Sequence, residues 1–251
     1  MTRPLMGTVF RLTVPDGAPG PAVDEVFAWL EWVEATFSTF RPSSAISRIG
    51  AGDLDPSEAP TEVRHVLARC ADLEEASGGR FAIRPGRLGG PGIDPAGFVK
   101  GWSVDEAAML LRSRDIGDFS IYAGGDVLCG GVPPSGDRWR VAIRHPERPD
   151  EAYATVLEIA GGAVATSAAY YRGDHIRGSD RGDIASVTVI GPSLGVADAL
   201  ATAIFADQAE SLDWMKGFPD FGVLLLGTDG MMRWTAPLDG LIADGGPGNR
   251  R

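Results

Sequence analysis

Asp198 and Thr202 stand four residues apart in the apolar stretch GVADALATAIFADQ, residues 195–208. On a helix that spacing puts an acid and a hydroxyl on one face, one turn above the other. Both are hard oxygen donors, suited to Mg2+ or Ca2+ rather than zinc. Two protein ligands are too few for a closed site, and would suit Mg2+ held partly by a substrate's phosphates. A carboxylate among apolar neighbours needs a partner. That partner is a metal cation, a lysine, or, near a helix start, solvent and the helix dipole. The spacing leaves all three open.

Three further constellations carry chemistry. In IDPAGFVKG, Asp94 and Lys100 flank a turn just ahead of a helix, where free backbone amides would meet phosphate. A structural Asp–Lys pair around the loop accounts for the same residues, and there is no GK[ST] phosphate loop. In YAGGDVLCGG, Gly124 and Gly125 let backbone approach a neighbour or ligand closely, with Asp126 following. A tight β-turn explains these glycines equally well. In ATSAAYYRGDHI, His175 follows Thr166 and Ser167, and it matters only if it faces a phosphate or hydroxyl. The other histidines, His65 in a helix beside charges and His145 before Pro146 in a turn, lack such a setting.

These residues need elements to hold them. GTVFRLTV reads as a strand closed by PDGAPGP, and AVDEVFAWLEWVEATFSTF as a helix with Val23, Val26, Phe27, Leu30, Val33 and Phe37 on one side. PSSAISRIG is a loop or short helix, and TEVRHVLARCADLEEASGG a helix with a glycine stop. The glycine- and proline-rich RFAIRPGRLGGPGIDPAGFVKG leads into a helix, WSVDEAAMLLRSR. FSIYAGGDVLCGG, RWRVAIRHP, ATVLEIAGGAVATS and IASVTVIG read as strands, and FGVLLLGTDGMMRWT as a closing hairpin turning at TDG. The tail DGGPGNRR reads as disordered, which leaves residues 1–243 as one domain. Strands and helices intersperse without a regular βαβ rhythm. The expected fold is therefore α+β, a single compact unit of mixed or antiparallel sheets with packed helices.

The chain has 251 residues, 44% of them hydrophobic and 23% charged, with a formal net charge of −11. That balance argues against nucleic acid and anionic membranes as partners, because phosphate backbones are bound by clustered Lys and Arg. An acidic protein that binds a phosphorylated ligand needs local help from a metal, helix N-termini or backbone amides. Cys70 and Cys129 have no metal-ligand spacing, and no apolar run reaches signal-peptide or membrane-spanning length, so the expectation is a cytoplasmic protein without membrane insertion.

Taken in order, MGTVF, FSTFRPSSAISRIG, IDPAGFVKGWSVDEAAMLL, YAGGDVLCGG, WRVAIRHP, AVATSAAYYR with HI, and SVTVIG leading into ADALATAIF resemble the ApbE family of flavin transferases (FAD:protein FMN transferase). They span nearly the whole chain, and ADALATA and DPAGFVKG are the most specific. The resemblance implies an Mg2+-dependent enzyme that moves FMN from FAD to a Thr or Ser hydroxyl of an acceptor protein and releases AMP. It places the metal on Asp198, Thr202 and a backbone carbonyl of the AGF turn, Gly97. It puts FAD contacts on Met6, Phe40, the RPGRL segment around Gly86 and Leu88, Asp94 and Lys100, with Gly124, Gly125 and Asp126 shaping the same cleft. His175 matches the family's candidate base.

The chain departs from that pattern in places. The segment before GIDPAGFVKG is much shorter than is usual in the family, Arg84 and Ala168 replace residues common there, and RGSDRGD follows the HI histidine. Two alternatives to transfer therefore stand: a binding protein that leaves FAD intact, and an FAD pyrophosphatase yielding FMN and AMP.

Overall fold

The computed structural model describes residues 1–83, 92–146, 153–168, 183–207 and 212–243. Arg84, Gly86, Leu88, His175 and the tail 244–251 lie outside the described residues.

The chain opens with a hairpin of β1 (Thr2–Leu5) and β2 (Thr8–Thr13), turning at Met6–Gly7, so a strand stands ahead of the one expected from GTVFRLTV. Three helices follow: α1 (Gly20–Phe37), α2 (Ala45–Ala51) and α3 (Thr61–Ala76). Next come α4 (Ala96–Ser113), the hairpin β3 (Phe119–Ala123) and β4 (Asp126–Gly130), and a second hairpin, β5 (Trp139–Ile143) with β6 (Thr155–Ile159). The chain closes with β7 (Gly162–Ala168), β8 (Ile184–Gly191), α5 (Leu194–Asp207), β9 (Gly222–Gly227) and β10 (Met232–Trp234).

Eight strands form one sheet in the order β1-β2-β3-β4-β7-β8-β9-β10, and every described pairing is antiparallel. The period of two along each strand assigns its faces. Ala163, Ala165, Val187, Val189, Val223 and Leu225 pack in the core with α1, α4 and α5. Their alternates Val164, Ile190, Leu224 and Leu226 pack with Ile143, Leu157 and Ile159 of the β5–β6 ribbon. Helices thus cover one face, and the ribbon covers part of the other. A further apolar cluster joins α1, α3 and α4 through Val33, Phe37, Val63, Val66, Cys70, Phe98 and Trp102. The whole is the α+β unit of antiparallel strands and packed helices that the sequence leads one to expect. No helix among the described residues is long and apolar enough to cross a membrane.

The six positions expected on the buried side of α1 are all buried. The expectation for α4 needs correction: it begins at Ala96, six residues ahead of WSVDEAAMLLRSR, so the AGF segment is its first turn rather than a loop. Two glycines normally weaken a helix. Here Asp94 Oδ1 accepts from Ala96 N at 3.0 Å and starts the helix, and tertiary packing keeps Gly101 inside it.

Two hairpin turns meet at one end of the sheet. Phe10 of β2 faces Ala123 of β3, and Gly124 N donates to Val9 O at 3.2 Å, so the Met6–Gly7 and Gly124–Gly125 turns lie side by side. Val127 of β4 faces Val164 of β7, which brings the C-terminal end of β7 to the same end of the sheet.

Candidate active site

α4 and α5 cross in near contact, and glycine at two positions permits it. A Cβ on Gly101 would overlap the Leu194 carbonyl, and one on Gly195 would come within 2.9 Å of Trp102 N. A Cβ on Gly97 would lie 3.8 Å from Thr202 Oγ1, so the two helices run in opposite directions, Gly97 beside Thr202 and Gly101 beside Gly195. Asp105, one turn beyond Gly101, accepts from Ser193 Oγ (2.8 Å), Leu194 N (2.8 Å) and Gly195 N (2.9 Å), and so satisfies the start of α5. Burial raises the Asp105 carboxyl pKa above its ordinary value, against the pull of those three bonds.

The crossing brings Lys100 between two carboxylates. Its ammonium donates to Asp126 Oδ2 and lies 3.1 Å from Asp198 Oδ2. Asp126 is the first residue of β4, with its side chain only 2% exposed, and its other oxygen accepts from Thr166 N at 2.9 Å. Asp198 Oδ2 is buried, and the Lys100 ammonium 3.1 Å away forms an ion pair with it that is less well directed than the bond Asp126 receives. Burial pushes the Asp198 carboxyl up, and the Lys100 charge opposes that. One turn along α5, half-buried Thr202 places Oγ1 3.3 Å from Ser167 Oγ at the end of β7. Of the partners open to Asp198 from its spacing, the lysine is the one the fold supplies, and the start of α5 is already occupied by Asp105.

Asp126, Asp198, Lys100, Thr202 and Gly97 therefore converge on the helical face, near the end of the sheet where the hairpin turns lie. Gly124 (φ 57°) and Gly125 (φ 106°) form the β3–β4 turn just before Asp126, so the turn reading of these glycines holds. Met6 sits in the neighbouring turn with φ 50°, uncommon for a residue with a side chain, and its N–H donates to Glu34 Oε1 at 3.1 Å. Glu34 Oε2 also lies 3.6 Å from Arg41 Nη2, which ties the loop carrying Phe40, 95% exposed, to the Met6 turn. Asp94 is exposed and accepts from the Ala96 N–H at the start of α4, so the Asp–Lys pair around that loop is replaced by the pairs of Lys100 with Asp126 and Asp198. His65 is exposed on α3, and His145 is buried.

Sequence reasoning passed over Asp105 and Glu34. The signal for Asp105 was an acid four residues after Gly101, on the same helical face. Its partners lie about 90 residues away, beyond any local pattern.

The donors fit a hard cation. Asp198 supplies a buried carboxylate whose Oδ2 makes only an ion pair with Lys100, and Thr202 a hydroxyl, with Gly97 backbone alongside. Among the described residues no three His, Cys, Asp or Glu side chains gather as a metal cage. A cation here therefore depends on hydroxyl and backbone oxygens, and on oxygens brought by a ligand.

The fold has solved counterparts. The structure of the ApbE protein of Thermotoga maritima matches with a TM-score of 0.82 at 21% identity, covering 97% of this chain and 99% of that one. The chain belongs to the ApbE family, whose sequence model matches residues 6–90 and 88–225. A Vibrio cholerae relative named FAD:protein FMN transferase is 31% identical over 125 residues, 45% of this chain and 37% of that protein. One of the same name from Treponema pallidum is 24% identical over 311 aligned positions, covering 92% of this chain and 85% of that protein. The chain's match spans less than half the length of several curated relatives.

Proposed function

We propose that this protein is an Mg2+-dependent FAD:protein FMN transferase. The observation that carries the reading is the buried Asp198 carboxylate, held by the Lys100 ion pair one helical turn from Thr202 Oγ1, in a chain of the ApbE family. Asp198, Thr202 and the Gly97 carbonyl would hold the metal. When bound, the ion neutralises charge on the bridging diphosphate, which an acidic protein otherwise repels.

The remaining work falls to the chain's own groups. Lys100 adds a positive charge beside the diphosphate, and Asp126 fixes where that charge sits. The Met6 turn, the exposed Phe40 and the Gly124–Gly125 turn offer surfaces against which the flavin nucleotide packs. His175, whose role rests on the family resemblance, takes the proton of the acceptor hydroxyl. The freed oxygen bonds to the FMN phosphorus, the phosphorus–oxygen bond to AMP breaks, and AMP leaves. The acceptor is a second protein offering a Thr or Ser within a flavinylation motif.

The test is incubation with FAD and Mg2+, with and without a threonine-bearing acceptor peptide, following FMN and AMP by chromatography. Flavin on the peptide with matching AMP is expected. FMN and AMP without peptide would instead mark a pyrophosphatase, and intact FAD with a range of acceptor peptides a binding protein. His175→Ala should spare FAD binding and slow transfer; loss of binding would make its role structural.

A further inference from the structure

We propose that Asp105 is a positioning residue of this site, a clamp that sets the distance between Asp198 and the α4 side chains that share the site. The inference rests on the reading of this site as one for a metal and FAD.

The geometry is that of a pinned crossing, because Asp105 bonds Leu194 and Gly195, the residues that also meet Gly101. The Gly101–Gly195 contact is the pivot where α4 and α5 touch. Asp105 lies on one side of it, roughly 6 Å along α4 from Gly101 at 1.5 Å per residue. Asp198 lies on the other side, about 4.5 Å along α5 from Gly195. The Asp105 carboxylate uses both oxygens: Oδ1 takes Leu194 N, while Oδ2 takes Ser193 Oγ and Gly195 N. Ser193 Oγ in turn accepts from Val196 N at 3.3 Å. Three bonds from one side chain hold the first turn of α5 against a helix that has no β-carbon at the contact. A tilt of α5 about that pivot moves Asp198 and Thr202 relative to Lys100 and Gly97. Because these are the oxygens assigned to the metal, a shift near 1 Å is enough to spoil their convergence.

A plain helix cap would stabilise α5 without altering the site, so the test reads ligand affinity in folded protein. Asp105→Asn is nearly isosteric but turns an N–H2 toward one of the backbone donors. Mn2+ binding, followed by electron paramagnetic resonance with FAD present, is compared among the unaltered protein, Asp105→Asn, Asp105→Glu and Asp198→Ala, each checked for native circular dichroism. Asp198→Ala should abolish the site. Asp105→Asn should weaken Mn2+ about tenfold, because a shift near 1 Å misaligns the ligating oxygens, and Asp105→Glu should recover part of the loss. If Asp105→Asn does not fold, Ser193→Ala removes one of the three bonds and should weaken Mn2+ by about two- to fivefold. Unchanged Mn2+ affinity in folded Asp105→Asn or Ser193→Ala, with Asp198→Ala inactive for binding, would overturn the clamp and leave a simple cap. Unchanged affinity in Asp198→Ala would overturn the metal site itself, and the clamp with it.

Discussion

Lys100 on α4 and Asp198 on α5 meet at 3.1 Å across a helix crossing, while the same ammonium bonds Asp126 on the adjacent sheet. One cation thus serves two carboxylates from two other elements, both at most 9% exposed at the side chain. Isolated buried charge is costly, and removing one partner of such a group costs more than the pair contributes.

Lys100→Met should therefore be destabilised by about 3–5 kcal/mol near neutral pH. Burial already raises the folded pKa of Asp198 above its ordinary value, and without the Lys100 charge that opposes the shift it rises further. The folded variant then binds protons more tightly, and its stability falls as pH rises through that window. Urea unfolding at about pH 5 and about pH 8 checks this, the deficit against the unaltered protein being larger at the higher pH. A deficit equal at both would show that Lys100 is not the counter-ion of the two acids.

Thr202→Val keeps shape and removes the hydroxyl beside Ser167. Thermal stability should change little, because the side chain is half-buried. If Thr202 holds the metal as proposed, Mg2+-dependent release of AMP from FAD falls about tenfold or more in this variant, and Thr202→Ser retains most of it. Steady-state rates across a Mg2+ titration separate the two variants.

Gly101→Ala offers a helix better intrinsic propensity by about 1 kcal/mol. The new Cβ meets backbone of Leu194 and Gly195, which cannot swing aside as a side chain would. Overpacking of about 1–3 kcal/mol should dominate, lowering the melting temperature. Gly117→Ala, where a Cβ meets nothing within 4 Å, is the control and should melt close to the unaltered protein.

Glu106 lies partly buried on α4, where it accepts from Trp102 Nε1 at 3.1 Å. Burial raises its pKa above 4.5, while the Trp102 bond and His65 oppose the shift. A raised folded pKa means the native state holds the extra proton, so this group's contribution to stability falls as pH climbs from the ordinary value through the folded one. Glu106→Gln keeps the acceptor and removes the charge. Its advantage over the unaltered protein should be absent below about pH 4 and grow as pH rises through that window, read from urea midpoints. An advantage constant with pH would point to packing instead.

Much of the architecture was legible along the chain, because apolar spacing records local geometry. Val23 through Phe37 fell on one side of α1, IASVTVIG coincided with β8, and the TDG turn joins β9 to β10. Family motifs pointed to Asp198, Thr202, Lys100 and Asp126 before their positions in space were known, and the fold gathers them with Gly97 beside Thr202. The start of α4 was not legible, since AGFVKG carries two glycines and local propensity favours a loop there; close packing against α5 overrides it.

Residue types and their spacing determined which groups had chemistry to offer, and the periods of the strands and helices around them. Tertiary structure alone decided the partners. Asp94 is six residues from Lys100 in the chain, yet it bonds the first N–H of α4, and the ammonium goes instead to acids 26 and 98 positions away. Such pairings follow from how a sheet of eight strands stacks its helices and how closely two glycines let α4 and α5 approach. Those distances are set by packing between elements, which a local pattern of residues does not encode.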